Sequence, residues 1–99
     1  MRNWSILVHN GKMHINEFQQ WINDRFGQRD RQRGTAATFM WLIEEVGELA
    51  TALSGDDQEN KVEEFADVIA WLCTLANINN VDIEEACKDY IAKNPQGCK

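Results

Sequence analysis

Positive charge is what the middle of this 99-residue chain lacks: between Arg33 and Lys61 there is no Lys or Arg. Net charge is −6 with a pI near 4.8, which argues against a nucleic-acid polymer or an anionic membrane as partner. Proline occurs once, at Pro95, so no proline interrupts a helix before the C-terminal end. Cys73, Cys87 and Cys98 are odd in number and form no CxxC pair, which suits reduced thiols in a cytosol better than a disulfide framework. Neither His9 nor His14 stands three residues after a Glu, so the Glu-x-x-His pattern of di-iron bundles is missing, and no Cys/His spacing fits zinc. Both histidines read as ordinary polar residues. No apolar run reaches the length of a membrane span, and the first residues lack a signal peptide's apolar core, so the expected location is cytoplasmic.

What is present is helix. A hydrophobic content of 43% is that of a globular chain, and 99 residues make one domain of modest core. Residues 1–12 form a poorly specified arm: Asn10-Gly11 is a turn signal, and "WSILV" fits a short strand, an arm or a cloning remnant. Residues 13–99 carry four helical segments. The first starts at Asn16, with Gln19 as capping partner, and ends at Gly27. The second runs from Thr35 to Gly55. The third opens at Asp56, with Glu59 as capping partner, and reaches about Asn79. The fourth opens at Asp82 with Glu85 and stops before Pro95. With no strand pattern of useful length, the fold class is all-α, a four-helix bundle-like protomer.

The second and third segments each carry two unusual faces. Phe39, Leu42, Ile43, Val46, Leu49, Ala50 and Leu53 form a wide apolar band that predicts a core-facing side. Glu44 and Glu48 fall opposite it, with Glu45 at the flank, among Ala37, Met40, Trp41, Gly47, Thr51 and Ala52. In the third segment the stripe is Val62, Phe65, Ala66, Ile69, Leu72, Cys73 and Ala76. Glu64 and Asp67 sit behind it with Trp71, Leu75 and Ile78. Carboxylates among apolar residues cost several kcal/mol unless matched to a cation. Two half-exposed faces with acids at a rim would also produce this pattern. The spacing favours the matched cation. Glu45 with Glu48, and Glu64 with Asp67, are i, i+3 pairs, and two antiparallel helices meeting there would gather four carboxylates. Such oxygen-only ligation suits Mg²⁺ or Mn²⁺. One core of this length cannot bury both stripes, so a homo-oligomer is expected.

"EEVGE" followed by "EFAD" resembles the EExxE…ExxD signature of MazG-like nucleoside triphosphate pyrophosphohydrolases, in the all-α NTP pyrophosphatase superfamily. "RDRQRG", "TFMWLIEEVGELATAL", "EEFADVIAWLCTLAN" and "VDIEEA" resemble its short single-domain branch, so the likeness spans most of residues 16–93. The C-terminal "KNPQGCK" departs from the tail of relatives, and residues 1–12 match nothing. The resemblance implies Mg²⁺-dependent hydrolysis of (d)NTPs to a nucleoside monophosphate and pyrophosphate, as in nucleotide-pool cleansing. It implies metal ligation by Glu45, Glu48, Glu64 and Asp67, with Glu44 as a further ligand or as the base that orients water. It also implies a homodimer or homotetramer. A dUTP- or phosphoribosyl-ATP-directed enzyme of the same superfamily, or a non-catalytic metal-binding module, are the alternatives. Arg29, Arg31 and Arg33, before the second segment, are candidates for phosphate contact, with Lys93 and Lys61 as weaker ones. Trp41 and Trp71 are candidates to stack a base, and Asn77 to bond the sugar or base.

Overall fold

The computed structural model describes residues 5–97, which form five helices and no strand: α1 (Ser5–Asn10), α2 (Ile15–Arg33), α3 (Thr35–Leu53), α4 (Gln58–Ile78) and α5 (Ile83–Lys93). The open reading of "WSILV" resolves over residues 5–10 as a short helix, ending at a turn where Gly11 has φ 65°. Residues 1–4 and 98–99 lie outside the described residues.

Local capping sets the helix starts. Asp82 accepts from the Glu85 N–H at 3.1 Å and opens α5 where the spacing predicted. Asp57, rather than its neighbour Asp56, accepts from the Asn60 N–H and opens α4 one residue later than expected. α2 opens after His14, whose N–H donates to the Glu17 carboxylate at 2.8 Å. The main correction concerns its far end. α2 does not stop at Gly27 but continues to Arg33, so Arg29, Arg31 and Arg33 belong to a helix and not to a loop. Gly27 serves close approach instead: a Cβ there would lie 2.6 Å from both Arg31 Nη1 and Asn23 Oδ1.

The break between α2 and α3 is one residue, Gly34, at φ 86° and ψ 172°. Only glycine occupies that region without strain. Gly34→Ala should therefore lower stability by about 1–3 kcal/mol through the backbone alone, since nothing lies within 4 Å of the added Cβ. Gly47, inside α3 and equally uncrowded, makes the control. Gly47→Ala should raise stability by about 0.5–1 kcal/mol. Urea unfolding of both variants checks the opposite signs.

α4 is the central element. α3 runs antiparallel along it, tied at one end where Asn79 Nδ2 donates to Thr35 Oγ1 at 3.2 Å. α2 packs on α4 as well and receives α5. The buried residue Gln19 of α2 joins these parts. Its Nε2 donates to Asn77 Oδ1 and to the Val81 carbonyl, while its Oε1 accepts from the Ile83 N–H.

The apolar bands take unexpected places. Within the chain, α3 turns Thr38, Leu42 and Ala52 into the interior, with Glu45 and Leu49 half-buried on the same side. Ala52, expected on the opposite face, belongs to this buried side. Phe39, Ile43, Val46 and Leu53, expected in the core, are exposed, Phe39 by 48%. On α4 only Cys73 and Ala76 of the stripe are buried, whereas Val62, Phe65, Ile69 and Leu72 are exposed, Val62 by 60%. The reason is geometric supply. α2 packs on α4, whose buried residues Cys73, Thr74, Ala76 and Asn77 all lie in its C-terminal half, and α5 packs on α2. The rest of both bands therefore has no apolar partner among the described residues.

Candidate metal and nucleotide site

Helix periodicity brings three carboxylates together. Glu45 projects from α3, and Glu64 and Asp67 project from adjacent turns of α4. One oxygen from each lies within 4.8 Å of the others. Glu64 Oε2 is inaccessible to solvent and has no hydrogen-bond partner. A buried, unpaired carboxylate oxygen beside two more carboxylates costs free energy unless a cation completes it. Hard oxygen donors are also what Mg²⁺ or Mn²⁺ prefers, so the residues fit such an ion.

Two of the sequence-predicted acids stand outside this group. Glu48, one turn beyond Glu45, is exposed, but its charge still acts on Glu45 and Glu64. Glu44 is exposed as well and lies outside the cluster, though its charge also acts on Glu45.

Burial, followed by the charge of Asp67 and then of the other nearby acids, raises the Glu45 carboxyl above its ordinary value of 4.5. Burial and Asp67 likewise raise Glu64. The folded state therefore holds these protons more tightly than the unfolded chain does. Their contribution to stability is largest below the ordinary Glu value and falls as pH rises through the raised values. A cation competes with the same protons. The melting-point gain from added Mg²⁺ should accordingly vanish as pH drops through this window, which thermal melts between about pH 4 and pH 8 would record.

One turn along both helices stand the tryptophans. Trp41 precedes Glu45 by four residues and Trp71 follows Asp67 by four, and their rings stack with centroids 6.1 Å apart at 17°. Trp41 is exposed by 46% and offers an aromatic face to solvent. Arg33 lies over Trp71 at 5.0 Å, donates from Nε to Thr38 Oγ1 at 3.0 Å and from Nη2 to Asp30 Oδ1 at 2.8 Å. Arg29 is more exposed, lies over Phe26 at 4.6 Å and reaches Asp30 only at 3.5 Å. Arg31 donates to the Asn77 carbonyl.

The remaining candidates are not gathered here. The amide of Asn77 is committed to Gln19 on both atoms, which makes it a clasp between α2 and α4 in this conformation. Lys93 is exposed on the last turn of α5, and Lys61 is half-buried near the start of α4. Burial pushes the Cys73 thiol up to about 11, so it is inert as a nucleophile at neutral pH.

Sequence reading missed Asp30 and Thr38, and it took Gln19 for the capping partner of Asn16. Instead α2 starts at Ile15 with Glu17 at the cap, and Gln19 is buried against Asn77, Val81 and Ile83. Asp30 had a usable signal, since it stands three residues before Arg33 on what proves to be one helix. Thr38 and Gln19 had none, because their partners come from other elements.

No helix among the described residues is long and apolar enough to cross a membrane. No curated protein matches the sequence significantly. The profile of the MazG nucleotide pyrophosphohydrolase domain matches residues 33–99, beginning at the arginine before Gly34 and taking in α3, α4 and α5 with all three clustered carboxylates. With that match over more than half its length, the chain belongs to the MazG nucleotide pyrophosphohydrolase family.

Proposed function

We propose that the chain hydrolyses (d)NTPs to (d)NMP and pyrophosphate with Mg²⁺, and serves to cleanse the nucleotide pool. The observation that carries this reading is the carboxylate group of Glu45, Glu64 and Asp67, with its unpaired Glu64 oxygen, inside the family match. These three would hold the metal, and Glu48 would shape the charge around it. When bound, the ion supplies Lewis-acid polarisation of the phosphoryl oxygens and a counter-charge to the triphosphate. Glu44, exposed beside the cluster, orients the attacking water and takes its proton as the water oxygen displaces pyrophosphate. Trp41 offers a stacking face to the nucleoside, and Arg29, exposed at its side chain, is the candidate cation for the phosphates.

A second copy completes the protomer in this reading. Phe39, Ile43, Val46 and Leu53 on α3, with Val62, Phe65, Ile69 and Leu72 on α4, recur at steps of three, four or seven residues along two antiparallel helices. Such a surface packs against itself as a four-helix bundle. Light scattering should give a dimer or tetramer, and a monomer at micromolar concentration would overturn this part.

The deciding measurement for activity is product analysis. In Mg²⁺ at least one (d)NTP should yield monophosphate and pyrophosphate, and EDTA should abolish the reaction. Release of orthophosphate with a nucleoside diphosphate would show that the wrong bond has been assigned.

A further inference from the structure

Asp30 is a buried acid that the carboxylate cluster does not use. It is 2% exposed, one of its oxygens has no partner, and the other accepts from Arg33 Nη2. Thr38, fully buried, accepts from Arg33 Nε. Together they occupy one side of the guanidinium fork. What remains is the end of the fork, Nη1 and the second N–H of Nη2, on a side chain 20% exposed.

The order of groups along the α3–α4 pair gives that free end a role. The carboxylates come first and the Trp41–Trp71 stack lies one helical turn on, with Arg33 against the Trp71 ring. A nucleotide with its phosphates at the carboxylates lays its base along the tryptophans and ends at Arg33. Asp30 already balances the charge of Arg33, so what the arginine adds is the direction of its donors. Two parallel N–H donors match two adjacent acceptors. Guanine presents such a pair in O6 and N7, whereas adenine sets the N6 donor beside N7.

Resting on the nucleotide reading above, we propose that Arg33 reads the base and favours guanine over adenine, with Asp30 and Thr38 as its positioning residues. The test is calorimetric titration of the whole protein in Mg²⁺ with dGTP, dATP and inorganic tripolyphosphate. Wild type should prefer dGTP over dATP by at least ~5-fold, the low end of one bidentate base contact. Arg33→Lys keeps a cation beside Asp30 but loses the fork. It should abolish the preference while shifting tripolyphosphate affinity less than about twofold. Thr38→Val removes one anchor at nearly constant shape and should reduce the preference part-way. Thermal melts establish that both variants fold.

Equal weakening of tripolyphosphate and dGTP in Arg33→Lys would make Arg33 a phosphate ligand and overturn the proposal. So would a wild type without preference, a preference unchanged in folded variants, or no nucleotide binding at all. Base-selective binding without hydrolysis would instead sink the proposed activity and leave this inference standing.

Discussion

Glu64→Gln is expected to melt higher than wild type in EDTA and to turn over at least ~10²-fold more slowly in Mg²⁺, the scale of losing a key electrostatic contact. Both effects come from one atom group. Glu64 brings an inaccessible, unpartnered oxygen into a cluster where Asp67 and Glu48 already oppose its ionisation. At neutral pH the metal-free fold must carry that charge. The amide is isosteric, uncharged, and can donate to the neighbouring carboxylates. Stability held back for the sake of a site is recovered when the site is disarmed. Added Mg²⁺ should raise the wild-type melting point by mass action and the variant's much less. The readout is four melting curves at fixed protein concentration and ionic strength, with a steady-state rate for each protein. A variant that melts lower than wild type in EDTA, with an equal Mg²⁺ shift, would make Glu64 structural and move the metal elsewhere.

Arg33→Ala is expected to cost at least ~3 kcal/mol of stability, because it strands a buried carboxylate. Asp30 is nearly inaccessible, and its 2.8 Å bond to Arg33 is the short one. Arg29, 3.5 Å away and 66% exposed at its side chain, is a poor substitute. For a domain of this size such a loss lowers the melting point by roughly 12 °C or more. The control is removal of both charges. Asp30→Leu with Arg33→Met should recover most of the stability, since a buried pair can be replaced by apolar groups at little cost while a broken pair cannot. Chemical denaturation of the wild type, the single variant and the double variant completes the comparison. If Arg33→Ala unfolds within about 0.5 kcal/mol of wild type, the range of an ordinary surface change, the Asp30 contact contributes little.

Legibility in the sequence followed the range of the forces involved. The start of α5 was readable because the cap that fixes it, Asp82 with the Glu85 N–H, lies within four residues. Asp56 and Asp57 are chemically equal candidates, and only backbone geometry at 57 chose between them. Gly27 misled because a glycine that stops a helix and one that makes room for a neighbour look alike in one dimension. The basic last turn ending in Arg33-Gly34 carried the correct stop signal, arginines before a glycine. For the candidate site, i, i+3 spacing singled out a set of acids, but it could not show that Glu45 meets Glu64 and Asp67 while Glu48 stays outside. That depends on the rotation of α3 about its axis, which is set by the burial of Thr38, Leu42 and Ala52. The apolar bands were read correctly as apolar. Periodicity reports that a face needs a partner and is silent on whether the same chain provides it.

α4 bears the consequence of carrying everything at once. Around one 21-residue cylinder it holds Glu64 and Asp67 in its N-terminal half, and Trp71, Cys73, Thr74 and the Asn77 clasp in its C-terminal half. Each residue advances a helix by 100°, so the angular phase between the halves is fixed by the number of residues separating them. Deleting one residue at Val68, or inserting one, would leave every side chain chemically intact. It would nevertheless swing the second half by that angle relative to the first. Either Trp71 would leave Trp41 and Asn77 would leave Gln19, or Glu64 and Asp67 would turn away from Glu45. Substitution can be absorbed along this helix position by position, but a change of length cannot. Natural variation in chain length should therefore fall at Gly11, in the Ser54–Asp57 turn and in the Asn79–Val81 link, never within α4.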